Sequence, residues 1–273
     1  INGRNYANIE NTVYHMPCDT LEMDRRLDAE HYMIRQVTGT NAFAPIEKMT
    51  RCIDIGTGSG IWVLEMASEN PQGQFLGVDI MPPHVSELKP PNCRFERGNL
   101  LEGLAYSDNT FDYVHHRCLN TAMPETAWQA YVDNCARICA PGGWVEMVET
   151  TGMLWNVAGY GERFNSWMHQ LANPQGIDLF VADRVAELLQ RAHLGDIRTH
   201  QYMLPVGAWA GAQGELGWQS VSGLVNTLAP FLEQNVGVSP AEVAKLLKGL
   251  KAEVAARRSY LQLKIYCARK PTK

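Results

Sequence analysis

The hydrophobic and polar positions of the 273-residue chain form short apolar runs that alternate with longer amphipathic segments. Runs such as 51–55 and 75–79 have the length and apolar content of buried strands. Segments such as 60–69 and 124–140 carry apolar residues three or four positions apart, which predicts helices. This order predicts an α/β protein with a mostly parallel sheet. The predicted strands are residues 51–55, 75–79, 93–99, 111–114, 144–149, 197–206 and 260–267.

Two further segments are predicted to be helical additions to this strand–helix core. The N-terminal arm contains a charge-rich helix at 19–37, which is either a solvated helix or a cover for a ligand site. The segment between the sixth and seventh strands carries a capping box that begins at Ser239, and its length predicts a lid over a substrate. We expect one domain, made of the arm (1–50), the nucleotide-binding core (51–206), the lid (207–258) and the last strand with its tail (259–273).

A glycine-rich turn follows the first predicted strand. Gly56, Gly58 and Gly60 occupy alternate positions, and an amphipathic segment begins at Ile61. A turn of this kind lets a ligand approach the backbone and presents the N–H groups of the next helix to it. Ile61 stands where the dinucleotide fingerprint requires glycine or alanine, so the pattern disfavours an NAD-dependent dehydrogenase.

Two acidic residues narrow the choice of nucleotide. Asp54 lies two residues before Gly56, where a carboxylate would repel a pyrophosphate but would suit a ligand with a cationic amino-acid end. S-adenosylmethionine (SAM) has such an end. Asp79 ends the second predicted strand, a position from which a carboxylate accepts hydrogen bonds from ribose hydroxyls. The pattern Asp-x-Gly-x-Gly-x-Gly resembles the first motif of class I SAM-dependent methyltransferases.

The fourth predicted strand runs directly into His115, His116 and Arg117. Ligands bind at the carboxyl ends of parallel strands, and histidine can accept a proton near neutral pH. If the strand continues, the two histidines point in different directions, so at most one need face a substrate. We predict that His115 or His116 is the catalytic base. Arg117 is predicted either to hold an acidic group of the substrate or to pair with a helix carboxylate.

Large aromatic residues are the candidates for substrate contacts. Trp209 and Trp218 lie in the predicted lid, and Trp155 follows the fifth predicted strand. They are predicted to line a pocket for a flat apolar substrate, with simple packing of the lid as the alternative.

Composition excludes several classes of function. The net charge of −5 argues against a general nucleic-acid binder, and no run of about 18 apolar residues predicts a membrane span. The seven cysteines are scattered without a C-x-x-C pair, which predicts free thiols in a reducing compartment and no metal site. We expect a cytoplasmic protein with a small-molecule substrate. A protein partner is not indicated by any motif.

Motifs along nearly the whole chain resemble the LaeA-like branch of class I methyltransferases, which is found mostly in filamentous fungi. The matching motifs are Tyr14-x-x-Pro17, G-T-G-S-G-I-W at 56–62, F-D-Y-V-H-x-R at 111–117, P-G-G-W-V-E at 141–146, L-P-V-G-x-W at 204–209 and A-R-K-P at 268–271. The resemblance implies a Rossmann-like seven-stranded sheet that binds SAM and releases S-adenosylhomocysteine. The cofactor-binding residues that it implies are Tyr14, Asp54, Gly56, Thr57, Gly58, Asp79, Ile80, Asn99, Leu100 and His115.

One of these positions departs from the family pattern. Asn99 ends the third predicted strand, where an aspartate facing the adenine is usual. An amide both donates and accepts, so it can still pair with the adenine edge.

The resemblance leaves three functions open. The main hypothesis is methyl transfer to an oxygen or nitrogen of a small-molecule natural product in secondary metabolism. The second is a SAM-binding regulatory protein that acts through a protein partner, for which a nuclear location is also possible. The third is a SAM-fold enzyme that catalyses a cyclisation or epimerisation without methyl transfer.

Overall fold

The computed structural model describes residues 26–83 and 89–272. Tyr14 and the Tyr14-x-x-Pro17 motif therefore lie outside the described residues, as does the first part of the helix expected at 19–37. The rest of that helix is present as α1 (Asp28–Thr38) and ends at Gly39 in the left-handed conformation.

The described strands form one seven-stranded sheet with the order β3-β2-β1-β4-β5-β7-β6. The first five strands in this order are parallel, and β7 is antiparallel to both of its neighbours. This architecture confirms the predicted mostly parallel α/β sheet. The strands are β1 (Arg51–Ile55), β2 (Gln74–Asp79), β3 (Cys93–Arg97), β4 (Phe111–Arg117), β5 (Cys139–Trp155), β6 (Gly195–Pro205) and β7 (Tyr260–Arg269).

Helices cover both faces of the sheet and bury a separate apolar cluster on each. One cluster holds α3 and α5, and the other holds α1, α2, α4, α6 and α7. β1 pairs with β2 on one side and with β4 on the other. The chain adds β2 and β3 on the first side and then returns to add β4 on the second side. A crevice opens at the carboxyl ends of the strands where the order of addition reverses in this way. The remaining helices are α2 (Ile61–Glu69), α3 (Trp128–Ile138), α4 (Gly159–Ala172), α5 (Val185–Arg191), α6 (Gly211–Val236) and α7 (Pro240–Arg257).

The predicted insertion between β6 and β7 consists of α6 and α7. The capping box at the start of α7 is formed, because the Ser239 hydroxyl accepts from the Glu242 N–H and the Glu242 carboxylate accepts from the Ser239 N–H. The Gly-rich stretch before it belongs largely to α6. A Cβ on Gly214 would lie 1.9 Å from the Gly207 carbonyl oxygen, so this glycine allows close backbone packing.

Several elements extend further than the sequence pattern predicts, among them β5 and α4. β5 continues beyond residue 149 to Trp155, and α4 begins at Gly159 rather than near residue 165. The extension of β5 contains Thr150 and Thr151, whose polarity interrupts the apolar pattern although both side chains are buried. Both extensions contribute to the cavity described below.

Within the described residues, no helix combines the length and the apolar character needed to cross a bilayer.

Candidate functional site

The glycine turn connects β1 to α2 and lies against the end of β2. Gly56, Gly58 and Gly60 have φ angles of +71°, +56° and +79°, which residues with a side chain adopt at a cost. The Gly56 N–H donates to the Val78 carbonyl oxygen at 2.7 Å, and the Gly58 N–H donates to Asp79 Oδ2 at 2.9 Å. The backbone N–H groups of the turn therefore hold it against the end of β2.

Asp54 connects three elements of the site. Its side chain is buried, Oδ2 accepts from the Thr57 hydroxyl at 2.7 Å, and Oδ1 lies 2.7 Å from His115 Nδ1. Because an ionised carboxylate only accepts, the hydrogen of this second bond is on Nδ1 of His115. Asp54 therefore links β1 to the glycine turn and to β4.

His115 lies on the same side of β4 as Tyr113 and borders the cavity. Its ring stacks on that of Trp62 with 4.0 Å between centroids and an angle of 4°. With Nδ1 donating to Asp54, Nε2 is the nitrogen left to accept a proton in the neutral ring. The hydrogen bond to Asp54 and the stacking on Trp62 fix the plane of the His115 ring. A catalytic base needs a ring fixed in this way, and so does a residue that supports Asp54. The catalytic role of His115 stays a prediction.

His116 faces the opposite side of the sheet and does not border the cavity. Its Nδ1 lies 2.8 Å from the Tyr131 hydroxyl of α3, and its Nε2 lies 3.2 Å from Glu149 Oε1. The alternation along β4 produces this placement. The prediction that His116 could be the base is corrected here, since the sheet separates its ring from any ligand in the cavity.

The group around His116 supports the cavity from outside. Glu149 is fully buried and accepts from the backbone N–H groups of Leu119 at 2.8 Å and Asn120 at 3.2 Å. Both of these residues border the cavity. Glu149 therefore fixes the loop that follows β4.

Replacing His116 by alanine is expected to lower the free energy of unfolding by about 2 kcal/mol, because it removes a buried ring and the partner of Tyr131. Affinity for S-adenosylhomocysteine is expected to stay within about threefold of wild type, since the loop remains bonded to Glu149. Chemical denaturation and calorimetry measure the two quantities. A loss of binding that greatly exceeds the loss of stability would contradict the assignment of His116 to support.

A cavity of about 480 Å³ extends from the glycine turn along the carboxyl ends of the strands. This volume lies in the range of small-molecule sites. Of the described residues that the sequence implied as cofactor ligands, all border the cavity: Asp54, Gly56, Thr57, Gly58, Asp79, Ile80, Asn99, Leu100 and His115. The structure thus brings these residues together around one space.

The predicted nucleoside end of this space lies between Asp79 and the loop after β3. Asp79 accepts from the N–H groups of Gly58 and Met81, and burial raises the pKa of its carboxyl group. The Asn99 side chain caps a short 3₁₀ helix, with Oδ1 accepting from the Leu101 N–H and Nδ2 donating to Glu102. Each of these bonds uses one of the two lone pairs of Oδ1 or one of the two hydrogens of Nδ2, so the Asn99 amide can also pair with an adenine. That contact stays a prediction.

The other end of the cavity is lined by residues that sequence reasoning missed. Spacing along α4 offers a signal, because Phe164 and Met168 are four positions apart and lie on one face. No comparable local signal marks the other contributions, which come from separate elements that only the fold brings together. These residues include Thr150 and Thr151 of β5, Ser220, Val221 and Leu224 of α6, and Leu261 of β7.

None of the three tryptophans predicted to contact the substrate borders the cavity. Trp155 and Trp209 are 42% and 40% exposed. The Trp155 indole donates to the Thr151 hydroxyl, and the Trp209 indole donates to the Val206 carbonyl oxygen. Trp218 is half-buried in α6 with the Lys251 ammonium 6.0 Å from its ring centroid. Their placement corrects that prediction in favour of packing between elements.

Arg117 ends β4 and borders the cavity. Its Nη2 donates to Nδ1 of His31 in α1 at 2.9 Å. The ring of His31 is bonded in turn to Glu65 of α2. The described partner of Arg117 is therefore a histidine, not the predicted helix carboxylate. Whether Arg117 binds a substrate stays a prediction.

Comparisons of this chain with a family model and with known proteins both point to methyltransferases. A family model described as a methyltransferase domain matches residues 26–198, more than half of the chain. Methyltransferase pytC of Aspergillus terreus is 25% identical over 267 residues, which cover 92% of this chain and 81% of that protein. The secondary metabolism regulator laeA of Coprinopsis cinerea is 31% identical over 155 residues, which cover 54% of this chain and 38% of that protein.

Solved structures share the fold. Phosphoethanolamine N-methyltransferase 2 of Haemonchus contortus, solved in complex with SAM, matches with a TM-score of 0.52 and 17% identity. The match covers 89% of this chain and 52% of that one, so this chain spans about half of that structure. The predicted fold class and the resemblance to LaeA-like proteins are confirmed. The chain therefore belongs to the methyltransferase-domain family, within the class I enzymes that take the methyl group from SAM.

Proposed function

We propose that the protein transfers the methyl group of SAM to an oxygen or nitrogen atom of a small-molecule natural product. The observation that carries this proposal is the continuity of the cavity. One space leads from the glycine turn, where the cofactor is expected, to a chamber between α4 and α6. A substrate in that chamber would share one continuous space with the sulfonium methyl group.

The reaction balances as one in-line displacement. The nucleophilic oxygen or nitrogen forms a bond to the methyl carbon while the bond from that carbon to the sulfonium sulfur breaks. S-adenosylhomocysteine leaves as a neutral thioether, and the substrate loses one proton. The chain would contribute mainly alignment of the two reactants and exclusion of water. His115 is the residue proposed to accept the proton, through Nε2.

The walls of the chamber favour a small, largely apolar substrate. Phe164, Met168 and Leu224 supply apolar surface, while Thr151 and Ser220 supply hydroxyl groups for orientation. Sites for small molecules commonly combine apolar walls with a few polar groups in this way.

Incubation with SAM carrying a deuterated methyl group tests the proposal. Extracts of the source organism are separated into small molecules and proteins after the reaction, and both fractions are examined by mass spectrometry. We expect a small molecule that gains one labelled methyl group, and a much lower yield of it with the Asp79→Ala variant at a SAM concentration that does not saturate that variant. Conversion of a small molecule without label would contradict methyl transfer and support a cyclisation or epimerisation.

A regulatory role is the second candidate, and the likeness to laeA favours it over a cyclisation or epimerisation. Under this hypothesis the chain binds SAM and acts through a protein partner. Label that appears only in the protein fraction, or binding of SAM without any turnover, would support it. The cytoplasmic location expected from the cysteine pattern stays a prediction, with a nuclear location as the outcome that fits a regulator.

A further inference from the structure

The position of Arg117 relative to the cofactor turn is the starting observation. β4 pairs with β1 through Ile55 and His116, so Arg117 lies one residue beyond the last pair, at the level where the glycine turn begins. Its side chain borders the cavity on the side of α1. The residue that precedes α1, Leu27, also covers the turn, because its Cδ1 lies 3.0 Å from where a Cβ on Gly58 would be. The guanidinium group is therefore next to the predicted site of the cofactor.

A series of partly buried hydrogen bonds holds the guanidinium group in place. Nη2 of Arg117 donates to Nδ1 of His31, and Nε2 of His31 lies 2.9 Å from Glu65 Oε2. Nδ2 of Asn41 donates to the same Glu65 oxygen at 2.7 Å. His31 is fully buried, so its ring nitrogens are shielded from water, whereas the Glu65 side chain is 18% exposed. The series fixes Arg117 through two helices that precede and follow β1.

His31 is neutral in this series of hydrogen bonds, so it does not offset the positive charge of Arg117. Burial and the neighbouring Arg117 lower the pKa of His31 to about 4, so its ring is neutral at pH 7. Burial would raise the pKa of Glu65, but the bonds from Asn41 and His31 lower it overall. A neutral His31 donates from Nε2 and accepts at Nδ1. Arg117 thus has a fixed neutral acceptor on one N–H group.

The carboxylates that border the cavity have other partners. Asp54 is bonded to Thr57 and His115, and Asp79 is bonded to backbone N–H groups. Glu30 lies 3.5 Å from Arg26. Within residues 26–83 and 89–272, no carboxylate oxygen lies within ion-pair distance of the Arg117 guanidinium group. The cavity therefore presents a positioned cation that an anionic ligand group can approach.

We propose that Arg117 is a carboxylate-binding subsite of this cavity and that His31 and Glu65 are its positioning residues. The planar fork of a guanidinium group matches a carboxylate and can bind it through two N–H groups. The carboxylate comes either from the methionine end of SAM or from an acidic substrate. The inference rests on the proposed function, because both sources assume that the cavity binds SAM and its methyl acceptor.

The first arm of the test compares two ligands that differ only in the carboxylate. S-adenosylhomocysteine and its decarboxylated form, S-adenosyl-3-thiopropylamine, are titrated into wild type and into Arg117→Met by calorimetry. If Arg117 binds the cofactor carboxylate, the variant loses about tenfold or more in affinity for the first ligand and less than about twofold for the second. Arg117→Lys is expected to recover part of the loss.

The second arm examines a substrate carboxylate. 4-Hydroxyphenylacetate and its uncharged amide are titrated into both proteins in the presence of saturating S-adenosylhomocysteine. If Arg117 binds the substrate instead, wild type prefers the acid over the amide by about tenfold, and Arg117→Met removes the preference while its affinity for S-adenosylhomocysteine is unchanged.

A third comparison tests the positioning residues. Glutamine at position 31 can accept from Arg117 and donate to Glu65, whereas leucine can do neither. His31→Leu is expected to reduce the carboxylate-dependent difference in affinity, and His31→Gln is expected to restore most of it. A purely structural role for His31 would change the affinities for both ligands of a pair equally.

The outcomes separate failure of this inference from failure of the proposed function. If wild type does not bind S-adenosylhomocysteine, the proposed function fails. If wild type binds it but Arg117→Met shows no carboxylate-dependent loss in either arm, or loses both ligands of each pair equally, the subsite at Arg117 is overturned alone.

Discussion

Replacing Asp54 by alanine is expected to lower the free energy of unfolding by about 3 kcal/mol and to abolish measurable binding of S-adenosylhomocysteine. The substitution leaves the Thr57 hydroxyl and His115 Nδ1 without their buried acceptor. Among the described residues, the Asp54 carboxylate is the only side chain that bonds both the glycine turn and β4, and the substitution removes it. For a chain of this length, the loss corresponds to a fall in melting temperature of roughly 6–12 °C.

Asp54→Asn is the matched control for this prediction. An asparagine oxygen can accept from His115 Nδ1, and the Thr57 hydroxyl can rotate to accept from the new amide. We therefore expect a smaller loss of about 1 kcal/mol and weakened but measurable binding. Chemical denaturation gives the stabilities and calorimetry gives the affinities. An Asp54→Ala variant that is as stable as wild type and binds normally would show that Asp54 does not organise the site.

Asp79→Ala is expected to lower affinity for S-adenosylhomocysteine by about 2 kcal/mol, or roughly thirtyfold. The alanine cannot accept hydrogen bonds from the ribose hydroxyls, and it also frees the Gly58 N–H that Asp79 now holds. Glu187→Ala removes an acidic residue from the exposed face of α5, where its partner is Arg191, and serves as the control for charge. Calorimetry at constant ionic strength should show no change for that variant.

The same carboxyl group predicts a pH dependence. Burial raises the pKa of Asp79 in the free protein, so its ionised form costs stability above that pKa, and the cost disappears as the pH falls through it. Because the ionised form accepts the ribose hydroxyls best, affinity for S-adenosylhomocysteine should fall as the pH is lowered through this raised pKa. Asp79→Asn should lack this part of the decrease. Identical pH profiles for the two proteins would rule out Asp79 as the titrating group.

The cofactor end of the site is predictable from sequence because its determinants are local. The positive φ angles of Gly56, Gly58 and Gly60 require glycine, and Asp54 and Asp79 lie at strand ends that a parallel sheet brings together. The pattern also shows that His115 and His116 face opposite sides of β4. It does not show which one faces the ligand, because both faces of a parallel sheet are buried and both neighbouring stretches are apolar.

The substrate end is poorly predictable because it depends on contacts between distant elements. Tryptophans in a Gly-rich segment suggested a pocket lining, yet Trp209 is bonded outside the cavity. Gly214 and Gly217 of that segment are helical, and Gly217 allows α6 to pass within van der Waals distance of the Pro205 carbonyl group. In sequence, these small residues look like loop signals, but in the structure they allow close helix packing. The chamber is lined by other residues of α6, such as Ser220 and Val221, and not by the tryptophans.

Titration of wild-type protein with S-adenosylhomocysteine by calorimetry tests the central claim most directly. We expect saturable binding of one ligand per chain, with an affinity that Asp79→Ala weakens and Glu187→Ala leaves unchanged. The same ligand should raise the melting temperature of wild type, because a ligand that binds only the folded state stabilises it. A folded wild-type protein that shows neither binding heat nor thermal stabilisation would contradict the assignment of this cavity to SAM.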